Sequence, residues 1–318
     1  MVTLSDIQSI LNSIPIKSYQ KAFNNEAPFF KHLPVKASVK GEIGVKYHYA
    51  GNSGGGSFAE GDDLTIGGKQ SRKTLHFPWK RVYKPISVDG LVQAISKNGG
   101  VLEINDMVKQ EVFDATKDLV KDINTMLMGD GTGNSGKDVQ GIKYHIADSG
   151  NYSNEALDRA VYAWLAAYIN DNGGTLRDIT EDLMFATHQE LTSVRGVTYN
   201  QIWTNDTLAE QYARLMGDRR RFVNVKVGDL SIDAVAYKGR AIIPFPGYPN
   251  QMDFVMADDF HLEYLTQEAA NSLGQNVKGM FKIETIPTAK DSTDLAVIAY
   301  LNLVCKNAYR QASLRDIQ

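Results

Sequence analysis

The stretch from Gly41 to Lys84 constrains the fold more than any other part of the chain. It opens as an alternating run, Val45-Lys46-Tyr47-His48-Tyr49-Ala50, and dissolves into Gly51-Asn52-Ser53-Gly54-Gly55-Gly56-Ser57. Acidic Glu60-Gly61-Asp62-Asp63 and the pair Gly67-Gly68 follow. A second alternating run then extends from Arg72 to Lys84, with Leu75, Phe77, Trp79 and Tyr83 on one face. Alternation of period two marks strands with two different faces, and clustered glycines mark a backbone that no side chain restrains. The pattern predicts a two-stranded ribbon with a soft tip. An arm of about 14 residues spans roughly 45 Å at the strand rise, and an isolated hairpin is marginal in water. Its aromatic face therefore needs a surface, supplied either by the same chain or by a neighbouring subunit.

The chain has 318 residues, room for one large domain or two ordinary ones. Apolar residues make up 43% and charged residues 22%, a globular composition, and the net charge of -3 makes no case for a dedicated nucleic-acid binder. The basic run Arg219-Arg220-Arg221 reads as a solvated helix end. One cysteine, Cys305, excludes an intramolecular disulfide and, lying in an apolar run, reads as a small core residue. No secretory signal opens the chain, and no apolar run approaches the ~20 residues of a membrane helix.

The clearest helix runs from about Glu103 to Met128. Ile104, Val108, Val112, Ala115, Leu119, Ile123 and Met126 recur at steps of four and three, while lysines and aspartates occupy the other face. At 1.5 Å per residue it is roughly 39 Å long. Ahead of it, Leu4, Ile7, Ile10 and Leu11 suggest a short helix in an apolar N-terminal arm, and Ser87 caps a second one ended by Gly99-Gly100. Beyond it, the pattern predicts a helix from Ser153 to about Ile169, a strand at Leu183–Ala186, and helices across Gln189 to Val194 and Leu208 to Met216. Strands are expected at Phe222–Val227, Ser231–Tyr237, Ala241–Pro244, Phe254–Met256, His261–Leu265, Phe281–Ile286 and Leu295–Val304. Helices and strands mix without a βαβ rhythm, so the fold class is α+β.

Catalytic signals are weak. Gly131-Thr132-Gly133-Asn134-Ser135-Gly136 fits a nucleotide-binding glycine pattern, and with Lys137 it nearly fits a phosphate loop. Both motifs need a helix after the loop, whereas here a helix precedes it and presents its negative end. Asp138 also stands where magnesium needs a hydroxyl. The six histidines lack ligand spacing, Asp258-Asp259 with His261 finds no further ligand nearby, and no serine sits in a nucleophile elbow. No metal, cofactor or catalytic residue is expected.

In the order of its elements the chain resembles the tailed-bacteriophage major capsid protein family, the Hong Kong 97-type shell fold. The resemblance covers nearly the whole chain. It rests on an N-terminal arm, the glycine-tipped loop Gly41 to Lys84, and a short helix entered by Ile86-Ser87-Val88-Asp89. It rests also on a spine helix ending in Leu127-Met128-Gly129-Asp130-Gly131, with Gly141-Ile142 shortly after, and on a mixed domain in which Ala236-Tyr237-Lys238-Gly239 leads to Ile242-Ile243-Pro244.

The resemblance implies an N-arm over residues 1–36 and an extended loop over 37–84. It implies a peripheral domain of 85–143 and 254–303, and an axial domain of 144–253 and 304–318. It implies a virion protein, assembled in the host cytoplasm, that forms hexamers and pentamers of an icosahedral shell around non-specifically held DNA. Tyr47, Tyr49, Phe58, Leu75, Phe77, Trp79 and Arg81 of the loop, and Phe23, Phe29 and Phe30 of the arm, are then the expected contacts with neighbours. With Met1 opening directly into the arm, the expected assembly uses a separate scaffold protein or none; portal and decoration proteins are further partners of such shells, and a membrane is not. Lys69 and Lys73 lie in the loop, but no crosslinking partner is visible, so crosslinking is not expected. Competing readings are an encapsulin-type compartment shell, a nucleotide-binding enzyme using Gly131 to Lys137, and a monomeric surface-binding module.

Overall fold

The computed structural model describes residues 27–50, 56–63, 71–90, 101–227, 230–266, 279–287 and 292–318. The expected helix at Leu4–Leu11, Phe23, most of the glycine tip, and the segment Leu91–Gly100 lie outside them.

From the N-terminal side, a short helix Pro28–His32 leads into β1 (Val35–Ser38), then β2 (Ile43–Ala50), β3 (Ser71–Phe77) and β4 (Lys80–Asp89). The long helix Val101–Leu127 follows, then the turn Ile142–His145, the small hairpin β5 (Asn151–Tyr152) and β6 (Leu157–Asp158), and β7 (Tyr168–Asn170). Next come a helix Glu181–Gln189, β8 (Gln201–Thr204), a helix Asp206–Met216, β9 (Phe222–Val227), β10 (Leu230–Tyr237), β11 (Arg240–Pro244) and β12 (Met252–Val255). The chain finishes with β13 (Phe260–Leu265), β14 (Phe281–Ile286), β15 (Ser292–Cys305) and β16 (Ala312–Leu314).

Strand β15 organises one sheet of five strands. Its first half pairs with β14 on one edge and β4 on the other, from Ser292↔Asp89 to Leu301↔Lys80, and its second half pairs with β13. Strand β1 joins β13 in parallel. The long helix lies on this sheet as its apolar period requires. Val112, Ala115, Leu119 and Ile123 are buried with Val82, Ile86, Val88, Leu295 and Val297, and Lys84 bonds Asp122 across the junction at 2.9 Å. The side chains of Ile104 and Val108 are outside the description. The second sheet has seven strands in the order β7-β16-β12-β8-β11-β10-β9. Met184, Leu208 and Tyr212 of the two shorter helices pack on one of its faces, against Ile202, Ile242 and Phe254. Trp203, Ile243 and Val255 face the core shared with the long helix.

The long helix ends where backbone meets backbone. A Cβ on Gly141 would lie 2.5 to 2.6 Å from the carbonyl oxygens of Leu127, Met126 and Gly129, so only glycine lets the chain cross the helix C-terminus there. Gly131, at φ +77, supplies the left-handed turn between them.

Several local expectations fail for tertiary reasons. Ser153 to Ile169 is not a helix: Ser153 and Ala156 adopt positive φ, and Glu155 is turned toward the ribbon. Leu183–Ala186 is helix rather than strand; Thr180 accepts from Leu183 N at 3.3 Å, with Glu181 and Asp182 in the first turn. Ser87–Asp89 is strand, because pairing to β15 extends through it. The second alternating run breaks at Pro78-Trp79, so Lys80–Lys84 belongs to the five-stranded sheet rather than to the loop. Phe254 and Val255, expected with the spine helix's domain, lie on a strand of the seven-stranded sheet. Among the described residues no helix is long and apolar enough to cross a membrane.

Candidate assembly surface

The ribbon forms with the alternation its residues predict. Strands β2 and β3 pair from Ile43↔Phe77 to His48↔Arg72, with an irregularity between His48 and Ala50. One face carries Ile43, Val45 and Tyr47 with Leu75 and Phe77 opposite, all buried. What covers them is their own chain: Tyr152, Leu165 and Val304, with Trp79, Tyr144, Leu157 and Trp164 packed around. Tyr47, Leu75 and Phe77 were expected to wait for a neighbour. They are instead core residues of this subunit, because the β5–β6 hairpin and the end of β15 form a floor under the ribbon.

Polar contacts hold that base. Tyr47 Oη donates to Cys305 O at 2.5 Å. His76 Nδ1 lies 2.6 Å from Glu155 Oε1, while the His76 amide donates to the same carboxylate and Asn154 N donates to His76 O at 2.8 Å. Partial burial alone would raise the Glu155 pKa. The hydrogen bonds from Ser153 and His76 outweigh it and hold the carboxyl at about 2.

The exposed surface begins where the floor stops. Tyr49 is 44% exposed and stacks on Trp164, with ring centroids 5.0 Å apart. Phe58, at 67%, lies beside exposed Glu60, Asp62 and Asp63 in a turn closed by Ala59 N donating to Asp62 Oδ2 at 2.7 Å. Trp79 is half-buried and donates to Lys40 O at 3.1 Å. Arg81 is exposed, its guanidinium 5.9 Å from the Tyr300 ring centroid. In the arm, Phe29 is fully buried in an aromatic socket of Trp203, Phe245 and Tyr248, with ring centroids 5.0 to 5.7 Å away. Phe30 is half-buried against the Ala27–Val120 cluster, and its amide donates to Asn124 Oδ1 at 2.9 Å. Phe29 is thus a core residue of its own subunit, not a surface contact. Exposed apolar residues that were not among the expected contacts include Tyr83 at 64%, Val161 at 71% and Tyr162 at 39%. Tyr83 lies beyond the break at Pro78-Trp79, so it does not continue the ribbon face of Leu75 and Phe77.

The glycine loop offers no phosphate cradle. Asp130 Oδ1 accepts from the Thr132 amide at 2.9 Å and hydroxyl at 2.7 Å, bonds that hold its carboxyl below the usual range. The Thr132 amide is thus taken by a carboxylate, and those of Gly136, Lys137 and Asp138 donate to carbonyl oxygens of the loop itself. Asp259, once considered beside His261 as a metal ligand, faces Arg310 and Gln311. Among the described residues no group of three or more histidine, cysteine or acidic side chains is placed to hold a metal ion. Cys305 is buried, and burial pushes its thiol well up.

The family model described as SU10 major capsid protein matches residues 20–318. The chain belongs to the SU10 major capsid protein family. It is a structural shell protein of phage type. Solved structures share the fold of this capsid protein. A chain of the cyanophage A-1(L) capsid asymmetric unit is 18% identical, with TM-score 0.71 over 92% of this chain and 93% of that one. Mycobacterium phage Patience gives 13% identity and TM-score 0.53 over 100% of this chain and 90% of the other. The SrpI encapsulin of Synechococcus elongatus PCC 7942 gives 11% identity and TM-score 0.51, covering 96% and 89%. No curated protein sequence matches the capsid protein. The encapsulin shares only the fold; the family match selects the phage shell.

Proposed function

We propose that this capsid protein assembles into hexamers and pentamers of an icosahedral shell that encloses phage DNA without reading its sequence. The observation that carries the reading is the division of the ribbon. Its root is buried against its own subunit, while Tyr49, Phe58 and the acidic turn remain exposed. Exposed aromatic rings beside charged rims suit contact with another copy. Intersubunit contact then falls on Tyr49, Phe58, Arg81 and the rim of Trp79, with Tyr83 added, and no longer on Tyr47, Leu75 or Phe77. The five-stranded sheet with the long helix serves as the peripheral domain, the seven-stranded sheet as the axial domain. Assembly takes place in the host cytoplasm; scaffold, portal and decoration proteins are its candidate partners.

The test is microscopy of the purified chain with and without Gly51 to Gly68. The intact chain should form closed particles, and the deletion should leave a folded subunit that does not. Normal particles from the deleted chain would remove the ribbon tip from assembly.

A further inference from the structure

The ribbon stands on a buried polar cluster in which each hydrogen can be placed. His145 is fully buried, and its Nε2 lies 3.0 Å from Leu303 O. A carbonyl only accepts, so Nε2 carries the proton. Nδ1 is then the acceptor, 2.8 Å from Tyr152 Oη, which donates to it. Tyr47 Oη gives its proton to Cys305 O. With both phenol protons committed, the two phenol oxygens face each other at 3.4 Å without a hydrogen between them. The neutral imidazole is the form that this arrangement fits.

The groups around the ring leave a proton there without compensation. Tyr144 faces it from its own turn, Tyr152 and Arg159 from the hairpin region, and Phe77 from the ribbon, whose Tyr47 meets Tyr152. Cys305 lies on β15 and His261 on β13, whose neighbour Asp259 is engaged by Arg310 and Gln311. Burial pushes the phenols of Tyr47 and Tyr152 and the Cys305 thiol up, so they stay neutral. Arg159 is the cation of the cluster, its guanidinium 4.4 Å from the Tyr152 ring centroid. Its bonds go to the carbonyl oxygens of Ser149 and Tyr144, and among the described residues no carboxylate pairs with it. A proton on Nδ1 would turn the Tyr152 hydrogen away from the ring, toward Tyr47 Oη at a long 3.4 Å, and place a second buried charge beside Arg159.

We infer that His145 is an acid-sensitive latch: neutral, it holds the ribbon's root on the subunit, and protonated, it releases β2 and β3 from Tyr152 and β15. Burial holds the docked ring at about 3, against an ordinary value of 6.5. A released ring regains the ordinary value. Each pH unit below 6.5 then favours release about tenfold, by one-proton linkage. The latch belongs to a single subunit, so its test does not depend on assembly.

The experiment is hydrogen exchange on the dispersed full-length chain between pH 7.5 and 5, corrected for intrinsic exchange rates. This window lies above the one in which Glu155 titrates. Protection of the amides paired between Ile43–Tyr47 and Lys73–Phe77 should fall about tenfold per pH unit below about 6.5, while that of Val112 to Leu127 changes less. His145→Gln keeps a donor and an acceptor but does not titrate, and should abolish the slope. A flat wild-type ribbon, a slope surviving in the folded variant, or equal loss along the long helix would each overturn the latch. A ring-proton titration of the wild-type chain serves where the variant does not fold. Titration of His145 near 6.5 with the ribbon still docked would sink the proposal, and its absence there supports it.

Discussion

The Tyr47 hydroxyl donates to the carbonyl oxygen of Cys305 across 258 residues of chain, joining the root of the ribbon to the last residue of the longest strand. Both groups are buried, so neither has water as an alternative partner. This bond and the apolar face around it make the ribbon's root part of the subunit before any neighbour arrives.

Tyr47→Phe removes the donor and leaves a buried carbonyl unpaired. It should lower subunit stability by about 1–3 kcal/mol. Phe77→Ala, at a fully buried site, should cost about 3–5 kcal/mol. Denaturant unfolding of the dispersed chain measures both, and a neutral Phe77→Ala would show that the floor is absent in solution.

Phe58→Ala should do the opposite. The ring is mostly exposed, so the change should stay within about 0.5 kcal/mol in unfolding. Particle yield by sedimentation should nevertheless fall. Trp79→Ala should lower both, since its ring is half-buried against its own ribbon cluster. Equal particle yields for wild type and Phe58→Ala would take Phe58 out of the interface.

Gly141→Ala should be severe, costing at least about 2 kcal/mol, because backbone oxygens rather than flexible side chains occupy the space of the new methyl group. Gly56→Ala, where nothing lies within 4 Å and φ is not positive, is the matched control and should leave the melting temperature unchanged. Similar melting temperatures for the two variants would refute the close crossing at the helix end.

Glu155 adds a second acid dependence. Its carboxyl is held at about 2, below the ordinary 4.5, so its contribution is complete above 4.5 and is lost as pH falls from 4.5 toward 2. Glu155→Gln should flatten the stability profile in that window and lower stability at neutral pH. An unchanged profile would mean that the His76 contact does not form in solution.

Much of this was legible in the residues. The step of the long helix, the alternation of the ribbon and the strands from Phe222 onward are local patterns, read from neighbours along the chain. The two helix and strand misreadings have different causes. Leu183–Ala186 carries too few residues for a period to separate helix from strand, and only the Thr180 cap distinguishes them. Ser153–Ile169 has an apparent helical period, but Glu155 is drawn to His76 and the backbone follows. For the assembly surface, the aromatic identity of the ribbon was readable, but which rings stay exposed was not.

By itself the sequence determined that a ribbon with one apolar face would exist, and that a long amphipathic helix would need a sheet. Periodicity is a property of neighbours along the chain, so a linear reading is enough for both. Only the tertiary structure decided that Tyr47, Leu75, Phe77 and Phe29 are kept by their own subunit while Tyr49, Phe58 and Tyr83 are left outside. That choice depends on Tyr152, Leu165, Val304 and Trp203 arriving from distant parts of the chain. Burial is set by what lies opposite a face, and no pattern within the face records it.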